Sequence, residues 1–200
     1  DGKIYLTTAQ AAGDDQDALK VDRSLRVLAL DAKTGEIVWN KHIFNQSGAT
    51  APKIHNKNSH ASPTPAVEYG HVFVHFGHMG TACLDLTGKV VWTQDKISYK
   101  PVHGNGGSPL VVGDKLIFSC DGPPNPFVIA LNVRTGKVAW QTNRNTQAKR
   151  HFSFCSPILI EVNGREELIL PGSGNVYAYN PKNGRELWRS NYGEGYSVVP

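Results

Sequence analysis

The sequence predicts an all-β protein built from repeated four-stranded antiparallel units, and three observations carry this prediction. A pattern that begins at Ala29 and ends at Trp39 occurs four times in the 200 residues. The four tryptophans close the four copies, at positions 39, 92, 140 and 188, with spacings of 53, 48 and 48 residues. Short apolar runs rich in β-formers recur with the pattern, and glycine-containing turns separate them. A fixed period of about 50 residues is typical of stacked supersecondary units that bury a shared core.

Each copy of the pattern predicts a strand, a turn and a second strand that carries the tryptophan. Residues 27–30, 128–131 and 176–179 are nearly continuous apolar runs, as expected for strands that are covered on both faces. A Thr-Gly or Asn-Gly pair then supplies a residue that tolerates a positive φ, as a tight turn requires. The tryptophan follows the glycine by four residues in every copy, so we expect docking positions between neighbouring units at Trp39, Trp92, Trp140 and Trp188, with Gly35, Gly88, Gly136 and Gly184.

Two more strands precede each copy and complete a unit of four. Thr64-Pro65, Ser108-Pro109 and Ser156-Pro157 open three of the units, and proline at the first position of a strand fits an innermost edge strand. Four antiparallel strands per repeat, without helical periodicity, predict the blades of a β-propeller. We expect one propeller domain over residues 1–200, with blades at 1–45, 62–97, 107–145 and 154–193 and the start of a further blade at 196–200.

The pattern Ala-x-Asp-x-x-Thr-Gly-x-x-x-Trp resembles the tryptophan-docking motif of quinoprotein-type propellers, the PQQ-like repeat family. Residues 29–39 carry every fixed position, residues 130–140 and 178–188 have Asn for the Asp, and the copy that ends at Trp92 is one residue shorter. The chain is similar in particular to uncharacterised bacterial PQQ-binding-like β-propeller repeat proteins, as in residues 58–80 and 170–188. The resemblance implies a periplasmic or extracellular location.

The two ends of the chain predict an incomplete ring. The first unit lacks its opening strand, because residue 1 falls just before a second strand. The resemblance implies eight blades, which at about 50 residues each need roughly 400 residues. We therefore expect about four blades, half of an eight-bladed quinoprotein-like propeller. The expected partner is a second propeller half, from a longer chain or another copy, or another protein.

Charge and hydropathy exclude some classes of partner. The net charge of +4 comes from 21 basic and 17 acidic residues that are spread along the chain, so no nucleic-acid partner is expected. A membrane span is not expected either, because no run of eighteen or more apolar residues occurs. The densest basic cluster is interpreted as a solvated loop and contains Arg144, Lys149, Arg150 and His151.

The cysteines and one acidic insertion give weaker signals. Cys83, Cys120 and Cys155 lie in or beside apolar strands, where free thiols behave as small hydrophobic groups, and this favours structural thiols over a disulfide framework. Residues 9–24 contain Asp14, Asp15, Asp17 and Asp22. A calcium loop is one interpretation, but the spacing matches no known pattern and a closing Glu is missing, which favours a solvated loop.

Strand counting places the candidate ligand residues on one face of the propeller. In a four-stranded meander, the loop between strands two and three lies at the same end as the connection to the next blade. Polar candidates on this face are His60, His75, His78, His103, Asn105 and His151. A zinc site needs three or four converging ligands, and no compact ligand motif is present, so no metal site is predicted. A pocket for a small molecule at the axial mouth is the favoured alternative.

Two functions are compatible with these features. Resemblance to PQQ-dependent dehydrogenases implies PQQ with Ca²⁺, an adjacent cysteine pair and a catalytic Asp. The sequence has no adjacent cysteine pair and no haem-attachment motif, so no catalytic residue is assigned. The favoured hypothesis is a non-catalytic binding or scaffold module, as in outer-membrane assembly factors that use this repeat without quinone. The alternative is part of a quinoprotein oxidoreductase whose catalytic residues lie largely outside these residues.

Overall fold

A computed structural model describes residues 2–13 and 21–193. The start of a further blade at residues 196–200 lies outside the described residues, and so do Asp14, Asp15 and Asp17. Within the described residues, fifteen strands form one three-stranded and three four-stranded antiparallel sheets. The all-β prediction of propeller blades is therefore confirmed.

The sheets follow one another along the chain, and each is a meander of sequence neighbours. The first contains β1 (Lys3–Ala11), β2 (Arg23–Asp31) and β3 (Ile37–Gln46). The second contains β4 (Ala66–Glu68), β5 (His71–His75), β6 (Thr81–Asp85) and β7 (Val90–Gln94), with a short 3₁₀ turn at Gly77–Met79. The third contains β8 (Leu110–Val112), β9 (Lys115–Cys120), β10 (Phe127–Asn132) and β11 (Val138–Asn143). The fourth contains β12 (Ile158–Val162), β13 (Arg165–Pro171), β14 (Asn175–Tyr179) and β15 (Glu186–Asn191).

The ribbon formed by β1 and β2 is longer than the sequence analysis predicts. Residues 9–24 were expected to form a loop, but β1 continues to Ala11 and β2 begins at Arg23, and these two residues are partners in the ladder. The reason is the alternation along β2, where Arg23, Leu25 and Val27 are buried and the residues between them are not. This period of two extends the strand beyond the continuous apolar run.

The sheets pack face to face, with one apolar core between each successive pair. Alternate residues of a strand point to opposite neighbours. In the second sheet, Val72 and Val74 pack against the first sheet, while Phe73 between them packs against the third. Covering on both faces explains why the strands read as continuous apolar runs. Cys83, Cys120 and Cys155 are buried in these cores and no disulfide joins them, which confirms their interpretation as structural thiols.

The repeated pattern produces the same strand irregularity in every sheet. A register shift after the alanine position of the inner strand brings the tryptophan opposite that residue in all four copies. The pairs are Ala29 with Trp39, Cys83 with Trp92, Ala130 with Trp140, and Ala178 with Trp188. A small residue at this position leaves room for the indole. The β-bulge therefore explains why a small residue at the first position of the pattern occurs together with tryptophan at the last.

The outer faces of the first and fourth sheets have no neighbouring sheet among the described residues. Ile4 and Leu6 on β1 are exposed, and so are Ile158 and Ile160 on β12. The inner strands of the middle sheets, in contrast, bury their apolar side chains on both faces, as at Val72, Phe73 and Ile117. The stack therefore ends in two partly apolar surfaces.

Candidate ligand-binding face

The strand order gives each sheet two ends with different connections. One end, which we name the turn face, carries the turns at residues 32–36, 86–89, 133–137 and 180–185 and the hairpins at 69–70, 113–114 and 163–164. The other end, the loop face, carries the connections at 76–80, 121–126 and 172–174 and the crossings at 47–65, 95–109 and 144–157. The two faces use their polar side chains differently.

On the turn face, side-chain oxygens hold the turns. Asp31 Oδ1 accepts hydrogen bonds of 2.9 Å from the backbone N–H groups of Lys33 and Thr34. The same type of contact recurs at Asp85, Asn132 and Asn180. Because Asn offers the same acceptor oxygen as Asp, the pattern tolerates either residue at this position.

The tryptophans reach from one sheet to the turn of the next. Three indole Nε1–H groups donate to backbone carbonyls there: Trp39 to Leu86 at 3.1 Å, Trp92 to Val133 at 2.8 Å, and Trp140 to Pro181 at 3.0 Å. Each ring also lies against the glycine of that next turn. A Cβ added to Gly88, Gly136 or Gly184 would stand less than 3.0 Å from the ring of the preceding sheet's tryptophan.

Trp188 and Gly35 occupy the two ends of this series. Trp188 donates to Glu167 Oε2 at 2.7 Å, within its own sheet, and is 40% exposed. A Cβ on Gly35 would meet no atom within 4 Å. Among the described residues, Trp188 therefore has no following sheet to dock on, and Gly35 has no preceding tryptophan above it.

On the loop face, several buried polar atoms have no hydrogen-bond partner in the described structure. Such atoms are uncommon in folded proteins, because an unpaired buried polar group costs free energy. The residues that carry them here are Gln46, His60, His75, His78, Asn105, Asp121 and Arg144. Four of the six candidates from the sequence, His60, His75, His78 and Asn105, belong to this set.

His75 is the most deeply buried imidazole. Its Nδ1 lies 2.9 Å from Thr81 Oγ1, its ring packs on Phe118 with centroids 4.1 Å apart, and its Nε2 has no partner. Burial lowers the pKa of His75 to about 3, and the nearby His78 adds to the effect. The side chain is therefore neutral at pH 7 and forms part of the interior between the second and third sheets.

His60 and His78 lie closer to solvent and interact with each other. Burial lowers the pKa of both imidazoles, and that of His60 reaches about 4 because the positive charges of Arg23 and His78 also disfavour its protonated form. The buried Nε2 of His60 and Nδ1 of His78 have no partner. The fold brings these two histidines together from two separate connections of the loop face, the crossing at 47–65 and the connection at 76–80.

Asn105 is held by Tyr99 rather than by a histidine. The Tyr99 hydroxyl donates to Asn105 Oδ1 at 2.8 Å, while Asn105 Nδ2 is buried without a partner. A Cβ on Gly77 would lie 2.8 Å from the Asn105 Cβ, so the glycine allows the close approach of these two loops. Burial raises the pKa of the Tyr99 hydroxyl, which remains neutral.

Arg144 was interpreted from the sequence as part of a solvated loop, and that interpretation is wrong. The guanidinium is 1% exposed, lies 3.3 Å from Asp121 Oδ2, and donates to the carbonyl of Pro171 at 3.1 Å. It also stands 5.0 Å from the centroid of the Tyr177 ring. Burial raises the pKa of Asp121 to about 6, and Arg144 acts in the opposite direction. The position of Arg144 in the sequence could have indicated its burial. It directly follows the strand that carries Trp140, whereas the other basic residues of the cluster come later.

The two remaining candidates lie in different places. His103 adopts a positive φ of 65° and packs edge-to-face against His55, with ring centroids 5.7 Å apart. His151 lies near Pro124, whose carbonyl is 2.9 Å from its Nδ1, beside a separate cavity of about 240 Å³. The structure therefore joins His103 to the surroundings of His60 and separates His151 from them.

A cavity of about 1190 Å³ opens at the loop face between the first sheet and the crossing that follows it. Its polar lining includes Thr7, Thr8, Arg23, Lys53, His55, Asn58, Ser59, His60 and His103. No Asp or Glu belongs to this described lining. The described lining therefore combines basic and neutral hydrogen-bonding groups and contains no carboxylate.

The described residues do not fit Ca²⁺ with PQQ. No group of three or more His, Cys, Asp or Glu residues in the described ranges is arranged to hold a metal ion. The buried carboxylate of the loop face, Asp121, is paired with Arg144. No disulfide joins the three cysteines, which are distant from one another in the sequence. No reaction step is therefore derived for these residues.

Comparison with known proteins agrees with this architecture. The stacked sheets and repeated pattern define a PQQ-like β-propeller protein. The chain belongs to the family described as outer membrane protein assembly factor BamB, whose model matches residues 6–150 and 121–196.

Two curated relatives carry different functions in their names. The chain is 27% identical over 176 residues to the quinoprotein ethanol dehydrogenase of Pseudomonas putida, covering 80% of this chain and 28% of the relative. It is 25% identical over 176 residues to outer membrane protein assembly factor BamB of Moranella endobia (strain PCIT), covering 87% and 40%. The chain thus spans less than half the length of either relative.

A solved structure supports the fold alone. The quinohemoprotein alcohol dehydrogenase ADHIIG from Pseudomonas putida HK5 matches 96% of this chain with a TM-score of 0.61 and 15% identity. The match covers 36% of that structure. In the part of the chain that the structure describes, no helix is both long and apolar enough to cross a membrane.

Proposed function

We propose that this chain is a non-catalytic part of a PQQ-like propeller that acts as a binding and scaffold module in the periplasm or outside the cell. The family description, which names an outer membrane assembly factor, supports both the role and the location. The observation that carries the proposal is the outer face of the fourth sheet. This face presents a tryptophan of the repeated pattern that no further sheet covers in the described structure.

The chemistry of this face indicates its occupant. Trp39, Trp92 and Trp140 each meet a glycine turn and a backbone carbonyl of the next sheet. Trp188 has the same place in its own unit but is 40% exposed, and Ile158 on the same sheet is 52% exposed. We therefore propose that another blade of this type covers the face and supplies a glycine turn and a carbonyl to Trp188.

The first sheet provides the complementary surface. Gly35 has the positive φ of the other turn glycines, at 74°, and the space above it is open. The tryptophan of a preceding blade would fit there as Trp39 fits on Gly88. Exposed Ile4 and Leu6 add apolar area beside it. Both surfaces are thus suited to a second propeller half.

Sedimentation of the 200-residue chain at micromolar concentration tests this proposal. We expect self-association through the two open surfaces, because exposed apolar sheet faces and strand edges promote pairing. Trp188→Ala should weaken the association. Val138→Ala is the control, because Val138 is also exposed but lies on the third sheet, away from the two open surfaces. A well-folded species of 21.8 kDa without self-association would contradict the proposal.

The alternative function is a part of a quinoprotein oxidoreductase, and the similarity to the quinoprotein ethanol dehydrogenase favours it. A cofactor that binds the native state must raise the thermal stability of the protein. Thermal unfolding with PQQ and Ca²⁺, each alone and together, therefore separates the two functions. The scaffold proposal predicts no rise in the midpoint that requires PQQ and Ca²⁺ together, and such a rise would favour the oxidoreductase.

A further inference from the structure

We propose that the cavity between the first sheet and residues 52–61 binds a small molecule through a carboxylate or phosphate group. This binding site is independent of the scaffold function, because it lies on the loop face and not on the two outer sheet surfaces. Three properties of the cavity carry the inference: a buried cation, one buried polar atom without a partner, and the absence of carboxylates from its described lining.

The buried cation is Arg23, at the beginning of β2. The residue is only 6% exposed, and its guanidinium donates to the backbone carbonyl of Val21 at 2.8 Å. No carboxylate of the described residues forms an ion pair with it. Buried charges in proteins are normally paired, and Arg144 on the same face follows this rule with Asp121. Arg23 instead lines a cavity that is open to an anion.

The acidic residue next to Arg23 does not neutralise it. Asp22 is exposed, and its Oδ1 accepts a hydrogen bond of 2.8 Å from the backbone N–H of Gly48. Successive side chains of an extended strand point to opposite sides, so Asp22 and Arg23 face different surroundings. The positive charge therefore remains directed toward the cavity.

Neutral groups in the lining complete the set of hydrogen-bonding partners. The His60 imidazole lines the cavity, and its buried Nε2 has no partner. A rotation of the ring that brings Nε2 to the cavity surface would let it donate to an anion in the tautomer that is protonated there. Thr8 and Ser59 add hydroxyl groups, and Lys53 adds a second positive charge at the rim.

The size of the cavity favours a molecule over a bare ion. A volume of about 1190 Å³ is at or above the upper end of ordinary small-molecule sites. Pro52, Ile54, Pro101 and Val102 supply apolar surface to the same lining. We therefore infer a ligand in which an oxyanion contacts Arg23 and an organic part contacts this apolar wall.

Calorimetric titration with citrate and with glycerol 3-phosphate tests the inference. Both compounds carry an oxyanion, one as carboxylate and the other as phosphate, so the tighter binder identifies the source of the charge. Arg23→Gln should weaken binding by about tenfold or more, because charge-assisted hydrogen bonds are among the strongest in proteins. Arg26→Gln is the matched control, since Arg26 lies on the same strand and contacts Asn40 rather than the cavity.

A second variant keeps the test decisive if Arg23→Gln does not fold. Lys53 is exposed and lines the cavity, so Lys53→Gln should fold normally and weaken binding by roughly twofold to fivefold. Binding of neither compound to the parent protein would overturn the inference. Equal affinities of the parent and the cavity variants would overturn it as well, because any binding would then occur elsewhere.

Discussion

The turn face and the loop face of this protein are built from the same strands but treat polar groups in opposite ways. On the turn face, Asp31 and its counterparts accept backbone N–H groups, and indole N–H groups donate to carbonyls of the next sheet. On the loop face, His60, His75 and Asn105 keep buried atoms without partners. The repeated contacts of the turn face are therefore paired, whereas the loop face carries most of the buried polar atoms without partners in the described structure.

This difference separates stability from binding. Groups that are fully paired contribute to holding sheets together and have little left for a ligand. Buried groups without partners lower stability and gain more when a ligand or water supplies the missing bond. We therefore assign the repeated pattern to blade docking and the irregular connections to ligand binding.

The largest expected effect concerns the turn face. Trp140→Ala should reduce the free energy of unfolding by about 3–5 kcal/mol, because it opens a cavity between the third and fourth sheets. Trp188→Ala should cost clearly less in a monomeric chain, since its ring is 40% exposed and lies on no glycine turn. Urea unfolding of both variants measures the difference. Equal losses would remove the docking interpretation of the pattern.

The next effect concerns the loop face and depends on pH. The pKa of His75 is lowered to about 3 in the folded protein, so the unfolded chain binds a proton at this residue at a higher pH than the folded protein does. The protein therefore keeps its full stability above about pH 6.5 with respect to this group and loses stability as the pH falls toward 3. Between pH 7 and 4 this amounts to about 3 kcal/mol. His75→Leu should remove this part of the acid sensitivity.

Two other residues make this comparison specific. The pKa of Asp121 is raised to about 6, so the protein loses stability as the pH rises from about 4 to 6. This loss should be the same in the parent protein and in His75→Leu. His71→Leu, at the turn-face end of the same strand, is the control for replacing a histidine of β5 by leucine. Chemical unfolding at several pH values measures all three proteins. An unchanged profile for His75→Leu would show that this imidazole is not buried as described.

The smallest effect separates backbone strain from contact with the indole ring. Gly184 and Gly35 have nearly equal φ values of 73° and 74°, but only Gly184 lies under a tryptophan. Gly35→Ala should therefore cost about 1–2 kcal/mol from the left-handed backbone conformation. Gly184→Ala should cost a further 1–3 kcal/mol or so, because its Cβ would overlap the Trp140 ring. Thermal unfolding of the two variants decides this, and equal midpoints would contradict the packing of Trp140 on Gly184.

The fold was predictable because its signal repeats along the chain. The spacing from Gly136 to Trp140 and its three counterparts reports a local turn and bulge, which sequence periodicity records directly. The site was predictable only in part. Strand counting placed His60 and His75 on one face, but their burial depends on how separate crossings pack together. Arg144 shows what sequence reasoning misses. The basic composition of residues 144–151 indicates a solvated loop, but in the fold Arg144 is buried against Asp121 and Tyr177.

One measurement compares the two faces directly, namely nitrogen-15 NMR of the ring nitrogens during titration with citrate or glycerol 3-phosphate. We expect the imidazole signals of His60 to shift with ligand concentration. The indole Nε1–H signals of Trp39, Trp92 and Trp140 should stay in place, because their bonds to carbonyls are already formed. A silent His60, or indole signals that move as far as the imidazole signals, would contradict the division between a docking face and a binding face.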